Sequence, residues 1–298
     1  MAASALEVVD LRKSFGSLAA LAGISFSIEP GEIFGYLGPN GAGKTTTLRA
    51  IGGLVRSDSG EVRILGRSHR DAGARRAIGF LPGELKLWGS MRAADLLDAI
   101  AAFRPERPPV LRPHLLDVLE VGADVLEKRV KFASHGTKQK IGIIAAMQHD
   151  PELLLLDEAT LGLDPLVQEK FRRALLEFAG RGRSVLFSSH ILPEVEAICG
   201  RVAILRAGKI VALESVDALR AAMVRRLRVR FRGAPPGDLA STPGVQSAAI
   251  SERSAEMMIR GDVNPLMRRL AKEEIEDLVF PEPELEDIFM SYYRGDDA

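Results

Sequence analysis

The residues best placed to do chemistry are Gly38, Pro39, Asn40, Gly41, Ala42, Gly43, Lys44, Thr45 and Thr46, which fit the pattern G-x-x-x-x-G-K-[ST]. Glycines let a backbone fold so that successive N–H groups aim at one anion, which side chains would block. Lys44 would supply a point charge for the β- and γ-phosphates of a nucleotide, and the Thr45 hydroxyl would ligate Mg²⁺. A helix beginning here would turn its positive end on the same anion. A second set is Leu153 to Leu156 closed by Asp157 and Glu158. Four leucines without alternation suit a parallel strand covered on both faces, and the acids then emerge at the strand end where doubly wound sheets bind ligands. Asp157 would hold Mg²⁺ through the Thr45 shell, and Glu158 would polarise an attacking water. His190 closes another apolar run, Ser184 to Ser189, and is either a structural histidine or a donor to the γ-phosphate.

The elements that must position these residues are legible around them. The apolar run Ile33 to Leu37 enters the glycine loop and a helix-compatible stretch, Thr46 to Ile51, leaves it. Leu6 to Leu11 and Ile24 to Ile28 alternate as strands, with Pro30-Gly31 making a turn before the loop strand. Phe15, between the first two strands, either fills a hairpin core or stacks on a base. Short strands are expected at Ser59 to Gly66 and Ala77 to Leu81, and a mostly helical block runs from Met91 to about Gln148. Ser134 is spaced as an N-cap at the start of a helix carrying Ile141, Ile144 and Ala145, and the same helix end could face an anion.

Composition narrows the class. The chain has 298 residues, enough for a nucleotide-binding core and a smaller domain at roughly 150 residues per domain. Lys plus Arg (40) balances Asp plus Glu (40), so no global basic field points to nucleic acid. No apolar run approaches the ~20 residues that span a bilayer, and Met1 to Glu7 lacks the basic and apolar regions of a secretory signal. The single cysteine, Cys199, forms no internal disulfide and reads as a small buried hydrophobe, so a cytosolic protein is expected.

Together these pieces resemble the ATP-binding subunit of an ABC transporter over residues 6 to about 220. The resemblance makes Gly38 to Thr46 the Walker A loop, Asp157 the Walker B acid, Glu158 the catalytic glutamate, His190 the switch histidine and Phe15 the adenine-stacking aromatic. It makes Gly162-Leu163-Asp164-Pro165 the D-loop, with Asp164 at the nucleotide. Ala133-Ser134-His135-Gly136-Thr137 becomes the signature loop, keeping Ser134 and Gly136 from the family pattern. Two positions depart from it: Gly83-Glu84 stand where the Q-loop glutamine is expected, and Ala159 replaces the proline common after the glutamate.

The fold implied is a P-loop NTPase α/β core of ABC type, with an antiparallel β subdomain and an inserted helical subdomain at about 84–150, over residues 1–222. A small α+β extension would occupy 223–298. It begins with five arginines between Arg225 and Arg232 on a strand-like segment, expected as a solvated strand edge guarded against aggregation, the rival reading being contact with anionic lipid. A terminal helix is expected at Pro283 to Tyr293. Such extensions resemble those of bacterial exporters whose permease is a separate chain. The resemblance implies ATP and Mg²⁺, a second ATPase subunit closing head to tail, a separate integral-membrane permease, and a place on the inner face of the cell membrane. The alternative is an ABC-type ATPase acting on ribosomes or DNA, but those relatives carry two cassettes, coiled coils or zinc insertions that are missing here.

Overall fold

The computed structural model describes residues 4–222 and 224–281. The chain divides into two compact units, Met1–Glu214 and Ser215–Ala298.

The first unit is organised by a six-stranded sheet in the order Lys209–Ser215, Arg201–Arg206, Ile33–Leu37, Ser184–Ser189, Leu153–Asp157, Ile78–Leu81. Ile33–Leu37, Leu153–Asp157 and Ser184–Ser189 are buried at every position, as expected for parallel strands covered on both faces. Their register is what matters for the site. Leu37 lies opposite Ser189 and Asp157 lies opposite Ser188, so three parallel strands end level and release Gly38, Glu158 and His190 along one edge. Gly35 is required where the covering helix Leu192–Ile198 descends, because a Cβ there would meet Val195 Cγ1 at 2.5 Å and Val202 Cγ1 at 2.8 Å.

A second sheet in the order Leu18–Ile28, Leu6–Phe15, Ser59–Ile64, Arg67–Ser68 is antiparallel throughout. Its apolar face shares one core with the large sheet, joining Leu6, Leu11, Ile28 and Val62 to Phe34, Tyr36 and Leu155. Phe26 is the rivet, stacked on Phe34 at 5.4 Å and tilted against Tyr36 at 5.3 Å. The helical block consists of Ala93–Ala102, Arg112–Val118, Ala123–Leu126 and His135–Met147. The last of these is buried at every residue from Ile141 to Met147, as a helix apolar all round must be. Buried Gln148 fastens the block: its amide donates to Leu97 O at 3.1 Å and its carbonyl accepts from Arg112 Nε at 2.8 Å.

The second unit consists of a helix, Val216–Ala222, and a sheet in the order Val245–Ile250, Ser254–Arg260, Val224–Phe231, Ile275–Val279, its core closed by Leu266 and Leu270 of Asn264–Leu270. One expectation fails here. The arginine-bearing strand lies in the sheet interior, paired on both sides, and is no edge. Leu227, Val229 and Phe231 fill the core while Arg226, Arg228 and Arg230 face out beside acids of neighbouring strands, with Arg228 Nε 2.9 Å from Glu256 and Arg230 Nε 3.6 Å from Glu276. Cross-strand charge pairs, not edge protection, account for the alternation. The helix expected at Pro283 to Tyr293 lies outside the described residues.

Leu155 has no accessible surface and sits where the two sheets share their core. Leu155→Ala is expected to destabilise the first unit by about 2–5 kcal/mol, read as a lowered urea midpoint with an unchanged slope.

Candidate active site

The glycine loop closes as its sequence requires. Gly41 and Gly43 take φ of 81° and 112°, a region that L side chains avoid. Gly43 also caps the helix Lys44–Ile51, and a Cβ there would stand 2.7 Å from Ala20 O. Behind the loop, Thr47 Oγ1 donates to Gly43 O at 3.0 Å and lies 3.1 Å from the hydroxyl of fully buried Tyr36, which ties helix to strand.

Lys44 is 5% exposed, and its ammonium donates to Gly38 O and, at 3.4 Å, to Pro39 O. Glu158 Oε1 lies 3.4 Å from the same nitrogen. Glu158 adopts φ 52°, a left-handed conformation uncommon outside glycine, while its N–H donates to Ser188 O at 3.0 Å. Strain of this kind collects where a side chain must be aimed. The other carboxylate oxygen, Glu158 Oε2, is 2.6 Å from His190 Nδ1. Lys44, Glu158 and His190 thus form one connected polar chain at the mouth of the loop.

Asp157 lies beneath it with no accessible surface. Thr45 Oγ1 donates to Oδ2 at 2.7 Å and Ser188 Oγ donates to Oδ1 at 2.9 Å. Among the described residues it has no ion-pair partner, and a buried carboxylate held only by hydroxyls lacks the cation that burial ordinarily demands. The donor set fits Mg²⁺, which takes one or two protein oxygens and completes its shell with water and phosphate. Accordingly, no group of three or more His, Cys, Asp or Glu among the described residues could hold a metal alone.

A cleft of about 540 Å³ opens over the loop, lined by Phe15, Pro39, Asn40, Gly41, Gly43, Lys44, Thr45, Thr46 and Glu158. Phe15 is 51% exposed on this rim, with Lys13 Nζ 5.3 Å from its ring centre, so it does not fill a hairpin core. Gly38 and Ala42 support the loop from behind, where a Cβ at Gly38 would meet Leu205 O at 2.9 Å and Ala42 is 2% exposed.

Ser134, Gly136 and Asp164 are absent from the lining of this cleft. Ser134 caps the helix His135–Met147, accepting from Thr137 N at 3.1 Å. Gly136 packs against Gly162 so closely that a Cβ would collide with Gly162 O. Asp164 caps the helix Pro165–Gly180 by accepting from Val167 N at 3.0 Å, which holds its carboxyl below the usual carboxylate range. Lys140 Nζ stands 4.0 Å from it.

Two further features went unread in the sequence. Gln139, 2% exposed, donates from Nε2 to Ala159 O at 2.9 Å and to Glu158 O at 3.3 Å, so the signature helix grips the backbone that carries Glu158. Its position one helical turn after Ser134, among lysines, hid it. The loop after Leu81 brings Gly83 to Asp157, a Cβ there falling 3.2 Å from Oδ2, whereas Glu84 is exposed and lies 3.6 Å from Lys86 Nζ. It is Gly83, not the Glu84 carboxylate, that faces the buried acid.

A glycine loop opening a helix from a parallel sheet, with a buried aspartate beside its threonine, defines a P-loop nucleoside triphosphatase. The chain belongs to the ABC transporter family, as one of its ATP-binding proteins. The ABC transporter family model matches residues 21–161. The Nod factor export ATP-binding protein I of Paraburkholderia xenovorans (strain LB400) is 31% identical over 299 residues, covering 97% of each chain. An uncharacterized ABC transporter ATP-binding protein of Nostoc sp. is 37% identical over 221 residues, covering 70% of this chain and 66% of its own length. A solved ATP-binding subunit of an ABC transporter superposes with a TM-score of 0.66 at 30% identity, covering 73% of this chain and 92% of that one. The protein therefore binds and hydrolyses ATP as the family does.

Gln139→Ala would strip the donor from two carbonyls beside Glu158. The expected outcome is a loss of about 1–3 kcal/mol in stability and a fall in ATP turnover larger than the fall in ATP affinity. Steady-state kinetics beside nucleotide titration would separate the two.

Proposed function

We propose that the protein is the ATP-hydrolysing subunit of an exporter whose membrane-spanning permease is a separate chain. The observation carrying this reading is the chain of contacts from Lys44 through Glu158 to His190 at the glycine loop. No helix among the described residues is long and apolar enough to cross a membrane, which leaves the spanning element to a partner. Working beside it, the protein would lie on the cytoplasmic face. The relative matched over nearly its full length is named for export, which favours that direction here.

In this reading the triphosphate lies along the N–H groups of the loop, and its oxygens take the place of Glu158 around the Lys44 ammonium. The released carboxylate then accepts a hydrogen bond from the attacking water, while His190 fixes its rotamer and faces the γ-phosphate. Thr45 and Asp157 are the residues that would hold Mg²⁺, which supplies charge neutralisation at the β- and γ-oxygens. Phe15, exposed on the rim, offers its face to the base. Ser134, Gly136 and Asp164 lie outside this cleft, so they serve the nucleotide of a second copy arranged head to tail. ATP then holds the two copies together, and hydrolysis removes that adhesion. The Ser215–Ala298 unit supports dimer contacts or regulation.

Glu158→Gln is expected to bind ATP, remain dimeric with it and lose turnover by about 10²-fold or more, checked by light scattering and phosphate release. Hydrolysis at the parent rate would remove Glu158 from the water-positioning role. Lys44→Ala should instead lose most of the ATP-dependent rise in Tm, seen by differential scanning fluorimetry.

A further inference from the structure

Beyond the C-terminal end of the glycine-loop helix, where Gly53 turns the chain at φ 72°, lies a second cavity of about 290 Å³. Its charged lining is Arg56, Arg70 and Arg75, and Ser57 and His69 complete its polar wall. Arg75 is fixed in advance: its Nη1 donates to His69 O and Arg70 O, each at 2.8 Å, and its stem crosses Gly53, where a Cβ would meet Cδ at 2.9 Å. That leaves Nε and Nη2 of the guanidinium without a protein partner among the described residues.

Three arginines near these in sequence have acids: Arg63 lies 2.8 Å from Glu61, Arg67 pairs with Asp71 at 2.5 Å, and Arg76 lies 3.5 Å from Glu106. None of the three in the cavity has a carboxylate within ion-pair distance among the described residues. Three like charges around one hollow repel, and an anion between them reverses the sign of that energy. Ser57 lines the same hollow and is 7% exposed as a residue.

We propose that this cavity binds a phosphate group, separate from the nucleotide cleft. Guanidinium forks match tetrahedral oxyanions through paired N–H donors, and a neighbouring hydroxyl completes the set. The phosphate could be free in solution or borne by a lipid headgroup, and two measurements separate these sources.

The first is calorimetric titration of inorganic phosphate into the full chain saturated with a non-hydrolysable ATP analogue, which keeps the glycine loop occupied. The second is flotation with vesicles of mixed phosphatidylglycerol and phosphatidylcholine, against phosphatidylcholine alone. The test variant is Arg56→Ala with Arg70→Ala, two exposed side chains outside the catalytic machinery, and the control is Arg226→Ala with Arg228→Ala. Expected is binding of one or both probes, weakened about tenfold or more in the test variant and unchanged in the control, with basal ATP turnover kept. Phosphate binding alone identifies a free anion, and flotation alone identifies a headgroup. Failure of both probes to bind the parent protein overturns the proposal, as does equal binding by the parent and the test variant. The ATP site is untouched by either result.

Discussion

The carboxylate of Asp157 is fully buried, has no ion-pair partner among the described residues, and is the constraint around which this site is built. Leaving such a group unmatched is costly in a low-dielectric interior. The fold surrounds it with polar groups of the right kind: the Thr45 hydroxyl from the loop helix and the Ser188 hydroxyl from the adjacent strand. Gly83 closes the remaining side without a side chain. Each comes from a different element, so the level ending of the parallel strands is a requirement. A one-residue slip between Leu153–Asp157 and Ser184–Ser189 would point Ser188 to the opposite face.

The same register explains the next residue along. Glu158 follows Asp157 out of the strand and must turn sharply to face Lys44 and His190, which it does through a left-handed backbone held by Ser188 O. That conformation is tolerable because Gln139 grips the carbonyls of Glu158 and Ala159 from the signature helix. A buried amide bonded twice is a stiff link. Ser134 caps the same helix, so the helix that begins beside Ser134 also carries the amide that holds the backbone of Glu158. In the proposed head-to-tail closure, that link would carry contact at one nucleotide to the residue that works on the other.

Much of this was legible in the residues. The glycine loop, the four-leucine strand and its two acids are short patterns whose chemistry leaves few alternatives, and the structure places Phe15, Lys44, Thr45 and Glu158 in one cleft. Ser134 and Asp164 lie outside that cleft, each as the N-cap of a helix. What could not be read was anything depending on which groups meet across the chain. Phe15, taken alone, suited a hairpin core better than a base, because exposure is a tertiary property. Glu84 drew attention as a charged side chain near a strand end, yet it faces solvent and its small neighbour meets the acid. Gln139 looked like one more polar residue in a basic helix start.

Arginine shows most plainly why spacing and pairing are different kinds of information. The run from Arg225 to Arg232 is conspicuous as sequence and suggests a basic surface. In the folded sheet, Arg226 and Arg228 share Glu256, while Arg230 lies near Glu276 and Asp277, so the strand presents a charge-balanced face. Arg56, Arg70 and Arg75 are scattered over twenty residues and form no motif. The chain folds them around one hollow, and among the described residues no acid lines it. Exposed pairs of the first kind are worth little and are screened by salt. A convergent, unpaired set holds its potential for an anion small enough to enter, and a motif search passes over it because the feature exists only after folding.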